Sequence, residues 1–448
     1  MKNKNIKWTA AGMLASIAFG TSALAQSSDA LLDKLVEKGI LTTKEANELK
    51  EETDKGFTTA YSVKSGMPDW VTALKFNGDF RGRVENFDSD NPAFINRTRF
   101  RYRARLGIIA TMLDDFEVGL RFGSGDPAAG TGAGNPVSNN STFQDNATKK
   151  FAYFDAAYAR WTPVHGADWT FGTIIGKMDN PFQTSAMVFD PDYIPEGAAI
   201  QAGYRLSDAH ELRLNSAAFV LDELAASGRD PYMIGAQLLW NAKWSPKIES
   251  SLGVSAYTLG NQANLTTANI PDQNSGNTRT GTGNLVYSYN PVVGSASLTY
   301  NLQSFPFYTG VFPVKVAGEY MKNPAAPSQN KGYWGGVAFG KAGKKGLWDA
   351  AYRYQWLAAD AWFEELVDDD NAGFYPTAAT GGNAGLRGGT NVKGHLVKLN
   401  YSFTDSLTLT FTYYLNSLII STPPPAGRSG PYSNTGGNHL MVDLMWKF

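Results

Sequence analysis

The densest chemistry in this 448-residue chain lies between Asn96 and Leu113, in the stretch NRTRFRYRARLGIIATML. Alternate positions carry guanidinium groups, Arg97, Arg99, Arg101, Arg103 and Arg105, and Thr98, Phe100, Tyr102, Ala104 and Leu106 fill the places between. A β-strand sends successive side chains to opposite faces, so this spacing predicts one cationic face and one apolar face; a helix would scatter the charges. At about 3.3 Å per residue the arginines span about 27 Å, close to the hydrocarbon thickness of a bilayer. A dry core could not accept five unpaired charges, each costing several kcal/mol, so one face must meet water while the other meets something apolar. Fixed cations along a wet wall select and orient ions and dipoles.

Other chemistries have weaker support. Of the four histidines, His165 and His210 fall in expected short turns and His439 shares its parity with Asp443. His395, on the face of Val397 and Leu399, is the one placed to serve a lipid-facing Ser/His hydrolase, although a histidine near the headgroups is the better reading. The acidic run from Glu364 and Glu365 through Asp368, Asp369, Asp370 and Asn371 could bind a divalent cation or bridge lipopolysaccharide; a solvated loop is the preferred expectation. There is no cysteine, no glycine-rich phosphate cradle and no Cys/His metal spacing, so no metal or cofactor is expected. Outside the arginine row there is no basic patch of the kind that binds nucleic acid.

The elements that would position the arginine row are strands. From Ala73 onward the hydropathy keeps a period of two: Leu74, Phe76, Phe80 and Val84 alternate with Lys75, Asp79, Arg81, Arg83 and Glu85, and Phe116, Val118, Leu120 and Phe122 alternate with Glu117 and Arg121. The same alternation returns at Leu407 to Leu415 and in the terminal HLMVDLMWKF. Faces stay unassigned around Tyr153 to Trp161, Tyr232 to Lys243 and Tyr333 to Phe339. Long polar linkers, near 86–96, 124–150, 179–197, 221–231, 259–290, 322–331, 358–391 and 419–436, alternate with short ones near 114–115, 162–168, 207–210, 245–248, 303–311, 341–345 and 404–405. That pattern predicts an all-β transmembrane fold: a sixteen-stranded antiparallel barrel over 73–448, with one long-loop rim and one short-turn rim. Trp161, Trp169, Trp240, Trp244, Trp348, Trp356 and Trp446 fit interfacial girdles. Phe182, Tyr257 and Tyr414 are candidate lumenal aromatics.

Charged residues make up only 18% of the chain, glycine and aromatics are plentiful, and no apolar run reaches the eighteen residues of a spanning helix. Lys2, Lys4 and Lys7, an apolar segment from Trp8 to about Phe19, and Ala23-Leu24-Ala25 together predict a secretory signal peptide over 1–25, cleaved after Ala25. Residues 26–72 are expected to form a short periplasmic helical segment, with Leu31, Leu32, Leu35 and Val36 at helical spacing and Thr42 with Glu45 as a capping box.

The strands RTRFRYRARL and FEVGLRFGSGD, the acidic FDPDYIPEG loop and the terminal WKF resemble those of Gram-negative outer-membrane porins. More narrowly, the chain resembles the porin families in which a signal peptide and a short helical segment precede a sixteen-stranded barrel. That resemblance implies passive diffusion of small hydrophilic solutes and ions across the cell outer membrane, no enzymatic activity, and a homotrimer among outer-membrane lipids and lipopolysaccharide. It also implies that Trp446 and Phe448 are read by the barrel-assembly machinery. The connection Asp179 to Gly197 takes the place of the loop that narrows such pores, which sets Asp190, Asp192 and Glu196 against Arg81, Arg83, Arg97, Arg99, Arg101, Arg103, Arg105 and Arg121. Eight arginines facing three carboxylates imply an anion-preferring constriction. The arginines could instead be paired by lumenal Asp and Glu. Alternatives are a substrate-specific channel of the oligosaccharide or phosphate type, or, more distantly, a barrel phospholipase.

Overall fold

The computed structural model describes residues 67–90, 96–127, 133–266, 275–371, 388–420 and 436–448, with the backbone of the two-residue strands Tyr375–Pro376 and Leu386–Arg387. The expected signal peptide and residues 26–66 of the expected helical segment lie outside the described residues; Val71 and Thr72, its last two, are extended strand. The chain divides into two compact units, Met1–Thr72 and Ala73–Phe448.

Sixteen long strands form the wall of the second unit: β1 (Val71–Ser89), β2 (Arg97–Met112), β3 (Phe116–Gly125), β4 (Phe151–His165), β5 (Trp169–Lys177), β6 (Glu196–Ser207), β7 (His210–Val220) and β8 (Tyr232–Ser245), followed by β9 (Ile248–Gly260), β10 (Val292–Leu302), β11 (Phe312–Lys322), β12 (Lys331–Gly340), β13 (Trp348–Leu357), β14 (Val392–Ser402), β15 (Leu407–Leu418) and β16 (Gly436–Lys447). Each pairs antiparallel with its sequence neighbours, and β1 pairs with β16 from Asp79↔Lys447 to Ser89↔Gly437. The sheet is therefore closed and leaves no wall edge open. Backbone bonds between Gly78 and Phe448, at 2.9 and 3.1 Å, extend the seam to the final residue. The two rims differ as the loop lengths predict, with long connections at one and turns such as Leu113–Asp115 at the other.

Alternation governs which face each residue takes. Leu298 on β10 sits opposite Val316 on β11, both more than half exposed on the outer wall, where a bilayer would cover them. On β8 the sequence left the faces open; Tyr232, Ile234 and Leu238 point outward, while Met233, Gly235 and Gln237 are buried inward. On β4 a bulge opposite Arg121 and Phe122 buries both Asp155 and Ala156. It breaks the period of two, which is why that stretch had no legible face. Strand β2 outruns β3, and beside its upper half Ser141–Thr142, returning from the long loop, pairs with Arg101 and Tyr102.

The lumen is not uniformly polar. Inward positions on β7 to β13, among them Phe219, Met233, Tyr257, Leu259, Met321 and Leu357, join one apolar cluster with Met187, Val188 and Phe189 of the loop 178–195 and with Trp362, Phe363, Leu366 and Val367 of the loop 358–371. Two long loops therefore fold into the barrel. This corrects the solvated-loop reading of the Glu364 to Asn371 run: Glu364, Glu365 and Asp368 are buried, because the apolar residues between them drive the whole segment inward.

Candidate functional site: a charged crescent in the lumen

The loops fill the apolar side of the lumen, and the charged side remains as a crescent. Its wall is β1, β2 and β16, whose inward parities carry Asp79, Arg81, Arg83 and Glu85; Arg99, Arg101, Arg103 and Arg105; and His439 and Asp443. The loop 178–195 enters from Gly176 and Gly197, which face each other across the β5–β6 pair at φ +115° and +155°. A Cβ on either would collide with a backbone carbonyl oxygen, that of Ala157 or Ala218, so only glycine fits this root.

Carboxylates answer most of the arginine row. Arg83 grips Asp443 in a bidentate pair, Nε to Oδ1 at 2.7 Å and Nη2 to Oδ2 at 2.9 Å, and reaches Asp370 at 3.0 Å. Glu85, wholly buried, takes Arg99, Arg101 (3.5 Å) and His439 (3.3 Å). Asp79 binds Arg103 at 3.0 Å and Arg105 at 2.7 Å. Arg121 pairs with Asp155 and, at 2.7 Å, with Asp179. Arg81 donates to Asn140 Oδ1 at 2.7 Å. Arg97, at the start of β2, lies on the same inward parity. Such charge-assisted pairs lock the row to the wall, and removing one member strands the other.

The three carboxylates expected opposite the row take different places. Asp192 lies against it, 3.1 Å from Arg103 Nη1 and 3.6 Å from Arg105 Nη1. Asp190 accepts the backbone N–H groups of Asp192 and Asp369, at 2.7 and 3.2 Å, and pairs with no arginine among the described residues. Glu196 is not in the crescent: it opens β6, exposed, and pairs with Lys177 at 3.1 Å. Sequence reasoning also missed the carboxylates of the other inserted loop. Asp368 accepts the Tyr414 hydroxyl at 3.2 Å, and Asp190, Asp368 and Asp369 each place an oxygen within 4.8 Å of the others. The apolar inward positions Phe219, Met233, Tyr257 and Leu259 were the available signal, because a water-filled lumen would not select them.

Between loops and wall lies a cavity of about 440 Å³. Its cations are Arg81, Arg83, Arg103, Arg353 and Lys398; its carboxylates are Asp190, Asp192, Asp368, Asp369, Asp370 and Asp443. Burial, reinforced by Asp369 and Asp368 at Asp190 and by Asp370 and Asp368 at Asp369, pushes both carboxyls well above the usual range. Burial and the charge of Asp370 push Asp368 up to about 6. Burial also opposes ionisation of Asp370, but Arg83 and His439 outweigh it and hold that carboxyl below its ordinary value. On the loop side burial therefore favours the neutral form of Asp190, Asp368 and Asp369 and Arg83 the ionised form of Asp370, and the wall offers fixed cations.

The family model described as "Putative porin" matches residues 91–287. That match spans under half of the chain, and the closed barrel agrees with it in fold. The high-pH structure of Pseudomonas putida OprB is similar to it with a TM-score of 0.50 at 11% identity, covering 88% of this chain and 97% of that one. A triple mutant of the Rhodopseudomonas blastica porin aligns over 84% of this chain and all of its own, at 11% identity and a TM-score of 0.40. No curated protein matches the sequence. Within this barrel the remaining expected residues are placed as follows. Trp446 faces outward beside Phe80, their rings 6.0 Å apart, and Phe448 closes the seam. His395 is exposed on the outer wall with Nδ1 2.8 Å from the Tyr352 hydroxyl. Phe182 and Tyr257 meet edge to face at 5.1 Å inside the loop core, and Tyr414 borders the cavity.

Proposed function

We propose that this chain is a porin that passes small hydrophilic solutes and ions passively through the outer membrane and that its constriction prefers anions at mildly acidic to neutral pH. One observation carries the reading: the cavity between the loops and the wall holds five cationic side chains against six carboxylates, three of which, Asp190, Asp368 and Asp369, have raised pKa values. Below about pH 6 Asp368 joins Asp190 and Asp369 in favouring the neutral form and the cations are in excess; above it Asp368 ionises and the excess narrows. The anion preference therefore rests on which acids hold their protons, and the bare tally of eight arginines against three carboxylates does not carry it.

A purely structural role for the arginine row is the competing reading, and the pairing of Arg83, Arg99, Arg103 and Arg105 with wall carboxylates favours it for those members. Arg81 and Lys398 border the cavity and are the better candidates for selectivity. The oligosaccharide alternative loses support because Phe182, Phe189, Tyr257 and Trp362 are packed into the loop core and offer no sugar-stacking track. Assembly as a homotrimer, insertion by the barrel-assembly machinery and contact with lipopolysaccharide are proposed from the resemblance to porins. Reversal potentials of the purified protein in a planar bilayer under a KCl gradient test the preference: a chloride-selective sign is expected at neutral pH, and potassium selectivity there would refute it. Cross-linking in detergent tests the trimer.

A further inference from the structure

We propose that the width of the channel is set from a third loop, residues 275–290, through Asn277 and Arg279, positioning residues that clasp the inserted loop 358–371. The proposal rests on the channel reading above. Asn277 binds that loop on three sides. Its Nδ2 donates to the carbonyls of Ala359 and Trp362, both at 2.7 Å, its Oδ1 accepts the Glu364 N–H at 2.9 Å, and its own N–H donates to Glu364 Oε2 at 2.6 Å. Arg279 completes the clasp, Nε and Nη2 lying 2.9 and 2.8 Å from Glu364 Oε1, while Nη1 donates to the carbonyls of Leu265 and Gly283 at 2.8 and 2.9 Å. Both charged side chains are fully buried. Thr278 adds bonds of 2.8 and 2.6 Å to Asp360.

The clasp and the constriction lie at opposite ends of one short segment. Six residues beyond Glu364, Asp370 meets Arg83 on the wall, and Asp368 and Asp369 line the cavity. The other inserted loop is tied to the same segment: Asp190 N–H donates to Leu366 O at 2.7 Å, Asp368 N–H to Ala186 O at 3.0 Å, and Trp362 Nε1 to Val188 O at 2.8 Å. The two loops therefore form one body held by the clasp at one end and by Arg83 at the other. Without Arg279 the buried Glu364 carboxylate loses a 2.8 Å ion pair, and water reaches it in compensation when the segment moves toward the rim. That motion carries Asp368, Asp369 and Asp190 away from Arg81 and Arg103 and widens the gap.

The test compares wild type, Arg279→Met and Asn277→Ala in planar bilayers and in liposome-swelling assays with sugars of increasing size. Folding of each barrel is checked by its heat-dependent shift on SDS gels. Both variants are expected to form shifted barrels, to conduct at least about twofold more per channel and to admit larger sugars, since ion flow and size cut-off both follow the constriction. Folded variants with wild-type or lower conductance and an unchanged size limit would overturn the proposal. So would failure of both variants to fold, which would assign the clasp to barrel formation. A wild-type protein that makes no channel would sink the channel reading instead.

Discussion

Replacing Asp368 by Asn probes the constriction at the carboxyl whose titration lies within reach, pushed up to about 6 by burial and by Asp370. The groups facing it are Arg353 of β13 at 3.9 Å, the Tyr414 hydroxyl of β15 at 3.2 Å, and Asp190 and Asp369 within the inserted loops. Because its folded pKa lies above the unfolded value, Asp368 favours the packed loop most below about pH 4, and that contribution is lost as pH climbs through about 6. Over the same interval the cavity gains a negative charge. A unit charge about 6 Å from a passing ion in water is worth about 0.7 kcal/mol, about threefold in partitioning, and it acts in opposite senses on anions and cations. Screening at physiological salt, with a Debye length of about 8 Å, roughly halves that energy, which leaves about a threefold change in the chloride-to-potassium permeability ratio. Reversal potentials from about pH 5 to about pH 8 should show the ratio falling by that factor in wild type, with a midpoint near 6, and Asp368→Asn should lack the step. A flat wild-type profile, or the same step in the variant, would refute the reasoning.

Arg83→Ala leaves Asp443 and Asp370 without their shared cation and should cost about 3–5 kcal/mol, read as a lower urea midpoint for loss of the heat-shifted barrel; Arg83→Lys should recover only part of it, because an ammonium cannot reproduce the bidentate grip. Glu85→Gln removes the charge shared by Arg99, Arg101 and His439, so chloride preference should increase while stability falls, both measurable on one preparation. Gly197→Ala puts a methyl against the Ala218 carbonyl at φ +155° and should destabilise the root of the inserted loop by about 1–3 kcal/mol, seen as faster protease nicking within 178–195. Arg81→Ala should lower chloride preference more than Arg99→Ala does, because Arg81 borders the cavity while Arg99 is spent on Glu85; equal effects in reversal-potential measurements would count against the assignment.

How far the sequence reaches depends on the distance over which each feature is decided. Period-two hydropathy and linker lengths are local, and they yielded sixteen strands, the long and short rims and the inward face of the arginine row, because a strand's neighbours in this barrel are also its neighbours in sequence. The closing pair β1–β16 was legible as well, since an apolar strand ending the chain on an aromatic needs a partner. Where the period broke, at the Asp155–Ala156 bulge, the local signal failed. Loop placement was a different matter. Asp192 reaches Arg103 and Glu196 does not, although four residues separate them, because Glu196 already belongs to β6 and its partner is Lys177. The acidic run at Glu364 looked like a solvated surface, yet Trp362, Phe363, Leu366 and Val367 bury it against inward apolar positions of other strands, and Arg279 supplies the counter-charge from a loop 85 residues away in sequence. The sequence by itself determined the barrel and the face on which the arginine row lies, because strand pairing and side-chain alternation are set residue by residue. The tertiary structure alone decided which carboxylates meet that wall and which keep their protons, because those depend on burial and on charges brought together across the lumen.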